Sequence, residues 1–142
     1  MNINISNIYS KPFNCKVESI PYIEMANEIL ENKVSNASET MYYKYMLNLL
    51  NSNRLVWGWI HTEEDCLKRA NEFIDIAKSI KENGYVDKNK VRNISGLPYG
   101  KMTFINNGKV YLVDGHHRMA ILICLGFSNF ELRHNYLIPV KP

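Results

Sequence analysis

No run of this 142-residue chain is apolar for long enough to cross a bilayer. The opening residues, Met1-Asn2-Ile3-Asn4-Ile5-Ser6, lack the basic-then-apolar pattern of a secretory signal. Cysteine is scarce and odd in number. Cys15, Cys66 and Cys124 are scattered, which argues against a disulfide framework and for a reducing, cytoplasmic setting. No pair of cysteines and no spaced set of histidines has zinc-ligand geometry: His116 and His117 are adjacent, and His61 and His134 stand apart. A block of Lys or Arg is also missing. Seventeen basic residues against fourteen acidic give a net charge of only +3, so a nucleic-acid partner is not favoured. Repeats, low-complexity tracts and the marks of a second domain are absent too. What is present is ordinary globular composition, 46% hydrophobic and 22% charged, over a length that fits one domain spanning residues 1–142.

Residues 1–12 read as a polar, Asn-rich lead-in that is poorly fixed. Residues 13–20 alternate apolar and polar, predicting a half-buried strand that ends at Pro21. Residues 22–32 carry a helical stripe of Ile23, Ala26, Ile29 and Leu30. Ser38 is the expected N-cap of a second helix over 39–50, with Met41, Tyr42, Tyr45, Met46, Leu49 and Leu50 near one face. Leu55-Val56-Trp57-Gly58-Trp59-Ile60 is apolar and aromatic without a defined period. Thr62 before Glu63-Glu64-Asp65 marks a helix start, with a hydroxyl cap and early acids to complement the dipole. That helix should run to about Asn83 and present Leu67, Ala70, Phe73, Ile74, Ala77 and Ile80 to the core, with Gly84 ending it. Residues 85–100 read as loop. Asn107-Gly108 between two apolar-rich runs predicts a hairpin. An apolar helix follows Arg118, capped by Gly126, and residues 129–138 alternate as one last strand. The predicted class is α+β.

The densest chemistry lies where the second hairpin run meets the apolar helix, at Asp114-Gly115-His116-His117-Arg118. First-turn amides of a helix have no intrahelical partner and stand at the positive end of its dipole. Gly115 lets a ligand approach the backbone, Arg118 adds a fork of donors for phosphate or carboxylate, and the imidazoles titrate near neutrality. The residues alone support two readings. One is an anion site. The other is a helix cap, with Asp114 capping and Arg118 paired to a neighbouring acid.

The order strand, Asn-Gly hairpin, strand, Asp-Gly-His-His-Arg box, buried helix and Leu125-Gly126 resembles the ParB/sulfiredoxin superfamily, most strongly over residues 102–135. Lys16-Val17-Glu18-Ser19-Ile20-Pro21 is similar to that family's first strand and turn. The tyrosine-rich stretch over about 38–60 looks like a helical insertion, and the motif core occupies about 102–138. The resemblance implies a small mixed sheet with packed helices, and nucleotide phosphates bound at the box. His116 stands where sulfiredoxins carry a reactive cysteine, which argues against sulfinic-acid repair. A single arginine in the box argues against a partition-protein clamp. The closest pattern is that of the ParB-related free serine kinases.

On that resemblance, Gly115, His116, His117 and Arg118 are expected to bind ATP or ADP, or CTP. His117 takes a phosphate oxygen, and Asp114 lies near Mg²⁺ or the acceptor hydroxyl. The catalytic set is Asp114, His117 and Glu28, because the relatives place a glutamate after the first strand and Glu28 is nearest that offset among Glu18, Glu24 and Glu28. The implied activity is phosphotransfer to a small hydroxyl compound, or nucleotide hydrolysis. The alternatives are a ParB-like DNA-binding or nuclease-like module and a non-catalytic ligand-sensing domain. Trp57, Trp59, Tyr42, Tyr43 and Tyr45 read as core, with Trp59 or Tyr43 the candidates to line a base pocket, and Lys90, Arg92 and Lys101 are loop cations that stand near a nucleotide on this reading.

Overall fold

Strand and helix alternate around a core that the N-terminal residues help to build. The computed structural model describes residues 2–54, 59–83, 104–106, 109–133 and 136–141. Three segments of sequence expectation, the 55–58 stretch, the 84–103 stretch with Gly84 and its basic residues, and the Asn107-Gly108 turn, lie outside the described residues, as does His134.

The lead-in is structured, contrary to expectation. Asn2–Asn4 forms β1 and Ile8–Ser10 forms β2, joined by a 3-10 turn whose Asn4 side chain accepts the Ser6 amide. Ile8 is wholly buried because β2 lies between two strands. These are Cys15–Lys16 (β3), antiparallel to it, and Lys109–Leu112 (β5), parallel to it. Phe104–Asn106 (β4) closes the sheet antiparallel to β5. Asn106 pairs with Lys109, so the strands of the predicted hairpin are present in the expected register. The strand expected over 13–20 shrinks to β3, because Val17–Ser19 turns into a 3-10 helix that buries Val17. The expected last strand is two: Asn129–Arg133 (β6) and Tyr136–Pro139 (β7) pair antiparallel, and β1 adds to β6. Among the described residues there are thus two sheets, ordered β3-β2-β5-β4 and β1-β6-β7, rather than one.

Four helices among the described residues pack on these sheets: α1 (Tyr22–Leu30), α2 (Met41–Asn51), α3 (Glu63–Asn83) and α4 (His116–Cys124). The class is α+β. The start of α3 follows its sequence: Thr62 Oγ1 accepts the Asp65 amide, and the Asp65 carboxylate accepts the amides of His61 and Thr62, a reciprocal cap. The cap of α2 is Thr40, not Ser38. Its hydroxyl accepts the Tyr43 amide and donates to Ala37 O, and a 3-10 turn over Ala37–Glu39 takes up the residues before it. On α3 the buried face is Cys66, Ala70, Phe73, Ile76, Ala77 and Ile80. Leu67 is exposed, since it lies one residue off that stripe. Tyr42 and Met46 of α2 are fully buried, so the stretch read as an insertion contributes directly to the core. Among the described residues no helix is long and apolar enough to cross a membrane.

Candidate functional site

The box sits at the switch from β5 to α4, as its sequence order predicts. Strand β5 alternates exposed and buried, and Val110 and Leu112 face the core. Asp114 is exposed and accepts the Gly115 amide on Oδ1 at 2.8 Å. Gly115 takes φ 86°, the left-handed region that a side chain disfavours, and so turns the chain sharply into the helix. Its carbonyl accepts the first helical bond, from Met119 N. As the N-cap residue of α4, Gly115 has no side chain with which to cap it.

The two imidazoles turn inward. His116 is 6% exposed. Its Nε2 lies 2.8 Å from Ser10 Oγ on β2, and that hydroxyl also accepts the Phe13 amide. Phe13 meets the His116 ring edge-on. Burial holds the His116 pKa down to about 4, against 6.5 for a free histidine, with Asp114 opposing in part. His117 stacks on Tyr22 of α1 at 4.3 Å between ring centroids and meets Tyr42 of α2 and Phe73 of α3 edge-on. Arg69 Nη2, on α3, donates to its Nδ1 at 3.3 Å. A guanidinium has no acceptor, so Nδ1 must carry the lone pair and Nε2 the hydrogen, which Tyr42 Oη accepts at 2.7 Å. The ring is neutral: burial, then the Arg69 charge, hold it well below the ordinary histidine value. Burial likewise pushes the hydroxyls of Tyr22 and Tyr42 up, so both stay protonated. Arg69 is itself fixed by Glu72 at 3.2 Å.

The remaining predicted residues separate. Arg118 is 4% exposed, within the core side of α4. The imidazoles are met by Ser10, Tyr42 and Arg69, while Glu28 is engaged at the start of α2. Its Oε1 accepts Met41 N at 2.8 Å, where a carboxylate complements the N-terminus of α2. Tyr42 and Tyr43 are core, as the helical spacing favoured, while Trp59 is 44% exposed with Lys68 over its ring. Tyr43 donates to Glu63. Reasoning from sequence missed Arg69, Ser10 and Tyr22. Arg69 did leave a signal, because it occupies the apolar stripe, three residues after Cys66 and four before Phe73. An arginine in that row has a buried partner or disrupts the face.

Among the described residues no group of three His, Cys, Asp or Glu side chains gathers. The described donors thus form no preformed metal cage. A lone exposed carboxylate, Asp114, suits only Mg²⁺ that arrives with a nucleotide's phosphates. The fold and site define an α+β protein in which a left-handed glycine opens a buried helix over two neutral, inward-facing imidazoles. No family model matches the chain, and neither a curated protein nor a solved structure matches it.

Proposed function

We propose that this chain is a cytoplasmic nucleotide- or phosphate-binding protein of the ParB/sulfiredoxin type, acting as a kinase-like phosphotransferase on a small hydroxyl compound. One observation carries the reading: α4 begins, directly after a strand, at a left-handed glycine, an N-cap residue that brings no side chain of its own to the helix start. Such a start leaves donors and the positive dipole end for a phosphate. The division of labour differs from the one the box suggests in sequence. His117 has both ring nitrogens engaged, by Tyr42 and Arg69, so it positions the helix rather than holding a phosphate oxygen. His116, neutral and bonded to Ser10, does the same from the other side. Asp114 is the exposed carboxylate that orients the acceptor hydroxyl, and it would also help to hold Mg²⁺ brought in with a nucleotide, which would supply charge neutralisation. Glu28, bound to the start of α2, is not part of this scheme.

A second reading, a non-catalytic ligand sensor, draws on the same inward imidazoles, whose ring nitrogens are engaged by Ser10, Tyr42 and Arg69. Titration calorimetry against ATP, ADP, CTP and inorganic phosphate, with and without Mg²⁺, tests both. Binding that weakens at least tenfold in Gly115→Val and survives in Asp114→Asn supports an amide site. Turnover lost in Asp114→Asn supports the transferase over the sensor. If no nucleotide or phosphate binds at millimolar concentration while duplex DNA does, the reading is wrong.

A further inference from the structure

Strand β2 serves two faces. Ile8 and Ser10 point inward, to the core and to His116, and Tyr9 points out. The pairing registers carry one outward row across three strands of the sheet: Lys16 of β3 opposite Tyr9, and Tyr9 beside Tyr111 of β5. The rings of Tyr9 and Tyr111 are 5.6 Å apart at a 33° tilt, and both are partly exposed. Lys109, two residues before Tyr111 and so on the same side, holds its Nζ 5.0 Å from the Tyr9 ring centroid. Lys16 and Lys109 are exposed. None of the residues in these four strands is acidic.

We propose that this outward sheet face, centred on Tyr9 and Tyr111 and flanked by Lys16 and Lys109, binds single-stranded nucleic acid. Partly exposed tyrosine rings offer flat surfaces on which unpaired bases stack whatever their sequence, and lysines beside the rings meet the phosphates between them. An acidic peptide or an anionic membrane would use the lysines and leave the paired rings without a role. The basic residues are far apart in sequence, at 16 and 109, which is why no Lys/Arg block announces the face. Two rings make a platform for about two bases, so binding is weak and without sequence preference, with a Kd of roughly 10–100 µM at low salt. The proposal is independent of the phosphate reading of α4, whose imidazole His116 lies on the other side of β2.

The test is fluorescence anisotropy of the full chain with a labelled ten-nucleotide oligo-dT, oligo-U and the matching duplex, across a salt series. Single strands should bind, and the duplex should bind at least tenfold more weakly. Tyr9→Ala or Tyr111→Ala should weaken binding about tenfold each, and Tyr9→Phe should retain it. Circular dichroism melts of each variant separate lost stacking from lost fold, and Tyr9→Leu serves where the alanine unfolds. Lys16→Gln and Lys109→Gln should each reduce the slope of log Kd against log salt by about 0.7. The proposal fails if no oligonucleotide binds at millimolar protein, if duplex and single strand bind alike with Tyr9→Leu silent, or if poly-glutamate or anionic vesicles bind the same face more tightly than the oligonucleotides.

Discussion

Acid should unfold this protein earlier than its carboxylates require, because two inward-facing histidines, one buried and one partly buried, are held uncharged. For His116 the folded-state pKa is about 4, below the 6.5 of the unfolded chain. Between those values the unfolded chain carries a proton that the native one lacks, so stability falls as pH falls. The slope is about 1.4 kcal/mol per pH unit per such group. From pH 6.5 to 4.5, His116 alone removes about 2–3 kcal/mol, and His117, held down by burial and by Arg69, adds in the same direction. A domain of ordinary stability has about 5–15 kcal/mol to lose. Asp65 and Glu31, whose carboxyls are held below the usual range by hydrogen bonds, act only at lower pH. Urea unfolding followed by circular dichroism at pH 7.5, 6.5, 5.5 and 4.5 measures the slope. His116→Gln, which cannot titrate, should start less stable at pH 7.5 and lose about 1.4 kcal/mol per unit of that slope. A stability that is flat from pH 7.5 to 5, or an unchanged slope in His116→Gln, would refute the reasoning.

Three further outcomes follow from single contacts. Arg69→Met strips the donor from His117 Nδ1 and should destabilise by about 1–3 kcal/mol. The same change should move the His117 ring nitrogens in ¹⁵N NMR away from the fixed Nε2–H pattern of the native chain. Thr40→Ala removes the cap of α2 and its bond to Ala37, at a cost of about 1–2 kcal/mol read from the urea midpoint. Gly115→Ala places a side chain at φ 86° and should cost about 1–2 kcal/mol in the same assay.

The helices were legible because each carries its own period. Thr62 and the acids after it fix the start of α3, and the stripe Ala70, Phe73, Ala77 and Ile80 fixes its buried face. The Asn-Gly signal likewise fixes the register of β4 on β5. What failed to show is what depends on distant pairing. Nothing local in Ile8-Tyr9-Ser10 says that Ile8 will lie beside Val110 in a parallel pair, yet that pairing buries it. Asparagines at positions 2, 4 and 7 hid two strands as a solvated tail. The alternation of 129–138 was correct in period and silent about its division into β6 and β7, which pair antiparallel.

The box shows the same limit at a finer scale. Five polar or small residues at a helix start read as surface, and two adjacent histidines read as donors to a ligand. Burying an imidazole without a partner costs free energy, so its polar atoms must be met inside. Here they are met by Ser10, Tyr42 and Arg69, and the rings by Phe13, Tyr22 and Phe73, side chains from β2, the turn after it and three helices. Two consecutive residues thereby join nearly every layer to the start of α4. An apolar pair would fill the same volume but would accept more than one rotation of the helix. Hydrogen bonds at fixed atoms accept one, and that fixes where the first-turn amides point. On the proposed phosphate reading, the histidines would act by orienting the start of α4 rather than by touching the ligand, a role that a side-chain motif does not name.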